Sequence, residues 1–190
     1  MRMRQRIIIA VMMIAMFAQM PAHAAADGVI TDWDSLKNAI QEADNGAVLI
    51  ISGQLTAESN ITITDKSIKL IAADAGAAIS RGSSLTGASL FTVKGDGASL
   101  TLGDSSDDSA IITLDGGSET LTWVTAPLIN VFDNAQLILN SGILKNNNNV
   151  EDSSLNISAN SGGGVYVGTS KTGSARDNVQ TSSRFIMNGG

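Results

Sequence analysis

Asp104, Asp107, Asp108 and Asp115 are the residues whose type and spacing come closest to chemistry in this chain. The adjacent acids Asp107 and Asp108 are a paired carboxylate, able in principle to hold calcium through hard oxygen ligands or to run acid/base hydrolysis of a glycosidic bond. Their setting argues against both. They lie in the polar run Gly103-Asp104-Ser105-Ser106-Asp107-Asp108-Ser109-Ala110, a turn-rich composition in which acids are ordinarily solvated. The basic residues add little, because Arg81, Arg176 and Arg184 are scattered along the chain. The expectation is therefore no catalytic residue and no dedicated metal or cofactor site, with loosely bound calcium at Asp107 and Asp108 as the weak candidate.

Other motifs resolve in the same direction. The segment Gly95–Asp104, Gly-Asp-Gly-Ala-Ser-Leu-Thr-Leu-Gly-Asp, has only a superficial likeness to a calcium-binding nonapeptide, since an aspartate at the spacing needed after the third glycine is missing. Gly162-Gly163-Gly164 could cradle an anion, but its place before Val165-Tyr166-Val167 reads as a tight turn between strands. Asn60-Ile61-Thr62 and Asn156-Ile157-Ser158 match the glycosylation pattern without establishing modification. Trp33 reads as packing, whereas Trp123 and Tyr166 could be exposed rings that stack on carbohydrate. Asn140 and Asn188 each follow an apolar run and precede Ser-Gly or Gly-Gly, positions from which amides of stacked strands can pair in ladders. The Asn146–Asn149 run reads as a polar loop.

Composition narrows the chemistry further. The chain has 190 residues, 19 glycines, no cysteine, one histidine and a formal charge of −6. Residues 1–24 hold three of the twelve basic residues, none of the eighteen acids, the single His23 and six of the seven methionines. The remainder has nine basic against eighteen acidic residues, a net charge of −9, and neither Cys nor His. That excludes disulfides, thiol nucleophiles, Cys/His zinc sites and histidine acid/base catalysis from the remainder. So acidic a chain lacks the basic footprint of a nucleic-acid binder and repels anionic polysaccharides.

The opening residues read as an export signal. Arg2, Arg4 and Arg6 precede the apolar run Ile7–Ala18, Pro21 ends it, and Ala22 and Ala24 place small residues at a cleavage site. A twelve-residue apolar helix reaches only about 18 Å, short of a bilayer core of about 30 Å. The expected organisation is a signal peptide over 1–24, an N-terminal cap over 25–46 and repeated coils over 47–190, located outside the cytoplasm with no transmembrane span in the mature chain.

One segment has helical periodicity. Trp33, Leu36, Ala39, Ile40 and Ala43 share a face, Thr31 or Asp32 can cap its start, and Asn45-Gly46 is placed to end it. Downstream, ten short apolar runs read as strands: 48–52, 60–64, 67–72, 89–93, 98–102, 110–114, 127–132, 135–140, 163–167 and 184–188. Starts near 48, 68, 89, 110 and 128 suggest a coil of about 20 residues, and hence a solenoid of stacked short strands. Segments 97–104 and 134–141 are similar at an offset of 37, and 134–142 and 182–190 at 48, offsets that would then span roughly two coils. An antiparallel sandwich is the competing architecture, although two-residue hairpin turns are scarce. Trp33, Leu36 and Ile40 would let the helix cover the first coil.

The order of these segments carries a family likeness. Thr31–Ser52, the coils containing Leu90–Asp104 and Leu128–Asn147, and Gly162–Gly168 followed by Arg184–Gly190 resemble secreted right-handed parallel β-helix proteins of bacteria. That group includes pectate-lyase-like, adhesin-like and polymorphic outer-membrane repeat proteins. Phe185-Ile186-Met187-Asn188 matches the Phe-x-x-Asn motif of the last, while Gly163-Gly164-Val165-Tyr166 departs from its Gly-Gly-Ala-Ile/Val motif. The resemblance implies an all-β, right-handed parallel β-helix with a capping helix, forming one part of a longer surface protein. The sequence stops inside a repeat unit, so the expected last coil is open. The expected role is a non-enzymatic, adhesin-like or structural segment that presents an extended face to carbohydrate or to a host or bacterial surface protein. The alternative is the N-terminal part of a polysaccharide lyase or glycoside hydrolase whose catalytic coils lie beyond residue 190.

Overall fold

Alternation of apolar and polar residues along short β-branched runs makes each strand bury one side and leave the other to solvent. A computed structural model describes residues 28–106, 111–121, 123–148, 163–170 and 182–189. Ala22, Ala24, Asp107 and Asp108 lie outside the described residues. The strands are β1 (Val29–Ile30), β2 (Ala47–Ile51), β3 (Gln54–Ala57), β4 (Ile61–Thr64), β5 (Ser67–Ala72), β6 (Ala78–Arg81) and β7 (Phe91–Lys94). They continue with β8 (Ser99–Leu102), β9 (Ile112–Asp115), β10 (Ile129–Phe132), β11 (Gln136–Leu139), β12 (Gly142–Lys145), β13 (Val165–Gly168) and β14 (Arg184–Met187). Among the described residues a single α-helix, α1 (Trp33–Glu42), precedes β2, and one short 3-10 turn spans Ser83–Leu85.

From β2 onward the chain visits three sheets in fixed rotation. Sheet A has the order β1-β2-β5-β8-β11-β14, sheet B the order β3-β6-β9-β12, and sheet C the order β4-β7-β10-β13. Every strand pairing among the described residues is parallel. This is an all-β, parallel, solenoid-like arrangement, and it excludes the antiparallel sandwich.

Register makes the core. On sheet A, Leu49, Leu70, Leu102 and Leu139 stand in one buried row, which Met187 continues in register although it is exposed. Leu55, Ile79 and Leu114 do the same on sheet B, with Leu144 below them. Ile63, Val93, Val131 and Val167 form the row on sheet C. Paired parallel strands are about 4.8 Å apart, so each side chain rests directly on its counterpart in the next coil. One hydrophobic cluster includes residues of all three sheets and of α1.

The register corrects the expected period. The row through Leu49, Leu70, Leu102, Leu139 and Met187 has steps of 21, 32, 37 and 48 residues. Only the first step matches the coil of about 20 residues. The later starts in that series fall on different sheets, in β7, β9 and β10. The offsets of 37 and 48 are therefore single coils, joining β8 to β11 and β11 to β14. The coil lengthens at the corner from sheet B to sheet C, where the connections are 58–60, 82–90, 116–128 and 146–164, and in the last coil also at the corner from sheet C to sheet A, 169–183.

Helix α1 lies against one strand of each sheet, touching β2, β3 and β4. Asp32 caps its start, accepting from the Ser35 N–H at 2.9 Å. Trp33, Leu36 and Ile40 are buried; the Trp33 indole donates to the Ser59 carbonyl at 3.0 Å and meets the Phe91 ring edge to face. The end of the helix differs from expectation. Ala43 is already extended, and Gly46, with φ of 88°, serves the turn into β2. The free carbonyls of Ile40, Gln41 and Ala43 are met instead by Lys66 Nζ at 2.9–3.0 Å. A cation at a helix C-terminus is favoured by the dipole and the orphan carbonyls together.

Close stacking leaves little room at the corners. Gly103, at φ of 78°, has the Ser141 carbonyl oxygen where a β-carbon would stand. Leu102→Ala is expected to lower stability by about 2–5 kcal/mol, and Gly103→Val to prevent folding outright. Urea titration followed by circular dichroism checks both; wild-type stability in either variant contradicts the stacking described.

Candidate binding face

Of the acids singled out in the sequence, the two that are described, Asp104 and Asp115, are tied to the fold. Asp104 receives Lys69 Nζ at 2.8 Å on one oxygen, and the Ser106 N–H and hydroxyl at 2.9 and 2.8 Å on the other. The Lys69 hydrogen bond, followed by those from Ser106, holds its carboxyl well below the usual range. Asp115 accepts from the Gly117 N–H at 2.8 Å and from Asn146 Nδ2 at 3.1 Å, with Lys145 Nζ 3.4 Å away. Both carboxylates pin corners between strands. Among the described residues no group of three or more His, Cys, Asp or Glu could hold a metal ion.

Arg81 is the least exposed charged side chain described, at 4% exposure. It ends β6 in the inward row opposite Ala57, and its hydrogen bonds run to three successive corner connections. Nη1 donates to the Leu85 and Ala88 carbonyls. Nη2 donates to the carbonyls of Ala126 and Pro127 at 3.3 and 3.0 Å, and to Asn147 Oδ1 at 3.1 Å. Asn147 in turn donates through Nδ2 to the carbonyls of Ala126 and Gly163. Burial pulls the guanidinium down from 12.5 to about 10, so it remains a cation at neutral pH. Carbonyl dipoles, rather than a carboxylate, solvate it. The expected polar loop at Asn146–Asn149 is thus, at Asn146 and Asn147, a pair of clamps on neighbouring segments.

The outer side of sheet C carries a continuous polar track. Asn60 Nδ2 donates to the Ser89 carbonyl and hydroxyl at 2.8 and 3.2 Å and to Thr92 Oγ1 at 3.2 Å. Thr62 donates to Asn60 Oδ1 at 3.0 Å, and Asn130 Nδ2 to Ser89 Oγ at 3.0 Å. Register places Thr62, Thr92, Asn130 and Tyr166 in one outward row and Thr64, Lys94, Phe132 and Gly168 in the next. The rings of Phe132 and Tyr166 meet edge to face with centroids 5.7 Å apart.

The remaining residues singled out in the sequence are spread over the molecule. Trp123 is 54% exposed on the 116–128 connection. Gly163 and Gly164 lead into β13, and the Gly164 carbonyl accepts from the N–H groups of Leu128 and Ile129. Phe185 continues the row of Leu137, and Asn188 Nδ2 donates to Asn140 Oδ1 at 2.8 Å, an amide pair between neighbouring coils. Asn140, Asn188, Ser105 and Ser141 line a shallow groove there. The roles of Arg81, Lys66 and Phe132 are not legible in the sequence, because each depends on which strand lies beside it.

Compared with known proteins, the chain matches no protein-family model, no curated protein and no solved structure.

Arg81→Met is expected to cost about 3 kcal/mol, since it leaves several buried carbonyls without their donor; a denaturation midpoint equal to wild type contradicts the clamp. Asp104, Asp74 and Asp32 all have carboxyls lowered from the ordinary 3.8, through Lys69, Ser52 and Ser35 respectively. Groups held down in the folded state contribute stability that is complete above their ordinary value and lost as pH falls through the lower folded value. Stability measured against pH is expected to be level above about pH 5 and to decline below about pH 4, with a shallower decline in Asp104→Asn.

Proposed function

We propose that this chain is an exported, non-catalytic segment of a right-handed parallel β-helix, acting as a stiff surface element that presents an extended face to glycans or surface proteins. Its support is the polar track and ring pair along the outer side of sheet C, held in register by the coils beneath. The acids best placed for chemistry among the described residues, Asp104 and Asp115, are committed to holding corners. Weak contacts repeated along a rigid face add up through multivalency, so such a face needs no deep pocket. The basic, apolar and small-residue order of residues 1–24 supports export, and the net charge of −9 that remains favours uncharged over anionic glycans.

A glycan array probed with the chain, alongside incubation with a panel of polysaccharides, tests this reading. Retention on a subset of glycans without release of reducing ends or unsaturated products is the expected result. Turnover of any polysaccharide overturns the non-catalytic assignment.

A further inference from the structure

We infer that Tyr166 is the stacking platform of a discrete binding subsite for an uncharged pyranose polymer, on the outer side of sheet C. The inference rests on the glycan-binding reading above and specifies where, and for which sugars, that binding occurs.

Tyr166 points outward from β13, in register with Asn130 of β10. Its ring lies over Gly168: a β-carbon there would stand 3.0 to 3.2 Å from the tyrosine Oη, Cζ and Cε1. The absence of a side chain at 168 lets the ring lie down along the strand instead of standing away from it. Phe132 meets it edge to face from the neighbouring strand, which helps to hold the ring in place. Tyr166 keeps part of its surface exposed. A tyrosine fixed this way offers a broad apolar surface with a polar tip, at small cost in side-chain entropy on binding.

Polar groups lie along the sheet beside the ring. Asn130 is its neighbour in the outward row, with Nδ2 given to Ser89 Oγ, and exposed Lys94 lies one strand further on, opposite Phe132. These groups suit sugar hydroxyls, as a few placed polar atoms around an aromatic surface generally do. Two acids favour uncharged sugars over uronates: Asp133 directly follows Phe132, and Asp96 accepts from Asn134 at 2.6 Å. Their charge offsets that of Lys94 toward an incoming carboxylate. The outward row continues through Thr92 and Thr62, so a bound chain can extend across the coils along polar side chains.

Affinity electrophoresis of the full chain in gels containing neutral β-glucan, xylan or polygalacturonate tests the subsite. Retardation is expected in a neutral polysaccharide and not in polygalacturonate. Tyr166→Ala is expected to weaken retardation about ten-fold, Tyr166→Phe to preserve it, and Trp123→Ala to leave it unchanged, with circular dichroism confirming that each variant is folded. If Tyr166→Ala does not fold, a Gly168→Val variant, which crowds the ring, takes its place with the same expected loss. Wild-type retardation that survives loss of the Tyr166 ring, or that is lost on Trp123→Ala alone, overturns the subsite while leaving glycan binding in place. Preference for polygalacturonate overturns the sugar class. Retardation by none of the three polymers overturns the subsite, and a blank glycan array in addition overturns the glycan-binding reading itself.

Discussion

In-register stacking of aliphatic side chains between successive coils is the constraint on which the rest of this structure depends. A short strand of four residues cannot bury its inward side chains alone, and neither can a single coil. The rows through Leu70, Leu102 and Leu139 on sheet A, and through Ile63, Val93 and Val131 on sheet C, bury them by placing like upon like. Because side chains alternate along a strand, a slip of one residue would turn an inward row outward. Register is therefore specified on each sheet by its own inward rows, and with it the relative positions of that sheet's outward side chains.

The corners absorb what the sheets cannot. Coil length more than doubles between the first and last steps along sheet A, yet the strands stay paired, because the added residues enter at connections. Long connections would leave backbone carbonyls without partners near the core, and Arg81 answers that need at three successive levels with one guanidinium. Asp104, Asp115 and Asn147 perform the same task elsewhere, with side-chain atoms replacing missing backbone partners. Asp104 and Asp115, which look free for chemistry in the sequence, are occupied in the fold.

How far the fold could be read from the sequence differs between the sheets. All ten apolar runs correspond to strands, because alternating Ile, Leu and Val mark sheets A and C clearly, as in Ser67–Ala72 and Ile129–Phe132. Sheet B was mostly hidden. Gln54–Ala57, Ala78–Arg81 and Gly142–Lys145 carry few β-branched residues, and β3 and β12 follow a sheet A strand after only two residues, so each merges with its neighbour's pattern. That omission also produced the wrong period, since counting strands without sheet B lets different faces pass for one. The similarity of 97–104 to 134–141 held the correct offset, because stacked strands must present matching side chains to each other.

The sequence by itself determined the local events: which runs form strands, where one helix starts at Asp32, and which residues can turn inward. Those depend on neighbours within a few positions, through periodicity and capping. Tertiary structure alone decided the rest. Lys66 closes a helix more than twenty residues upstream, Arg81 gathers carbonyls more than forty residues away, and Tyr166 meets Phe132 across a coil. Each joins segments far apart in sequence: a corner residue and the helix end, a strand end and a later corner, and two strands of neighbouring coils. Its partner is set by the number of residues in the intervening corner, and that length is neither periodic nor marked by any local pattern.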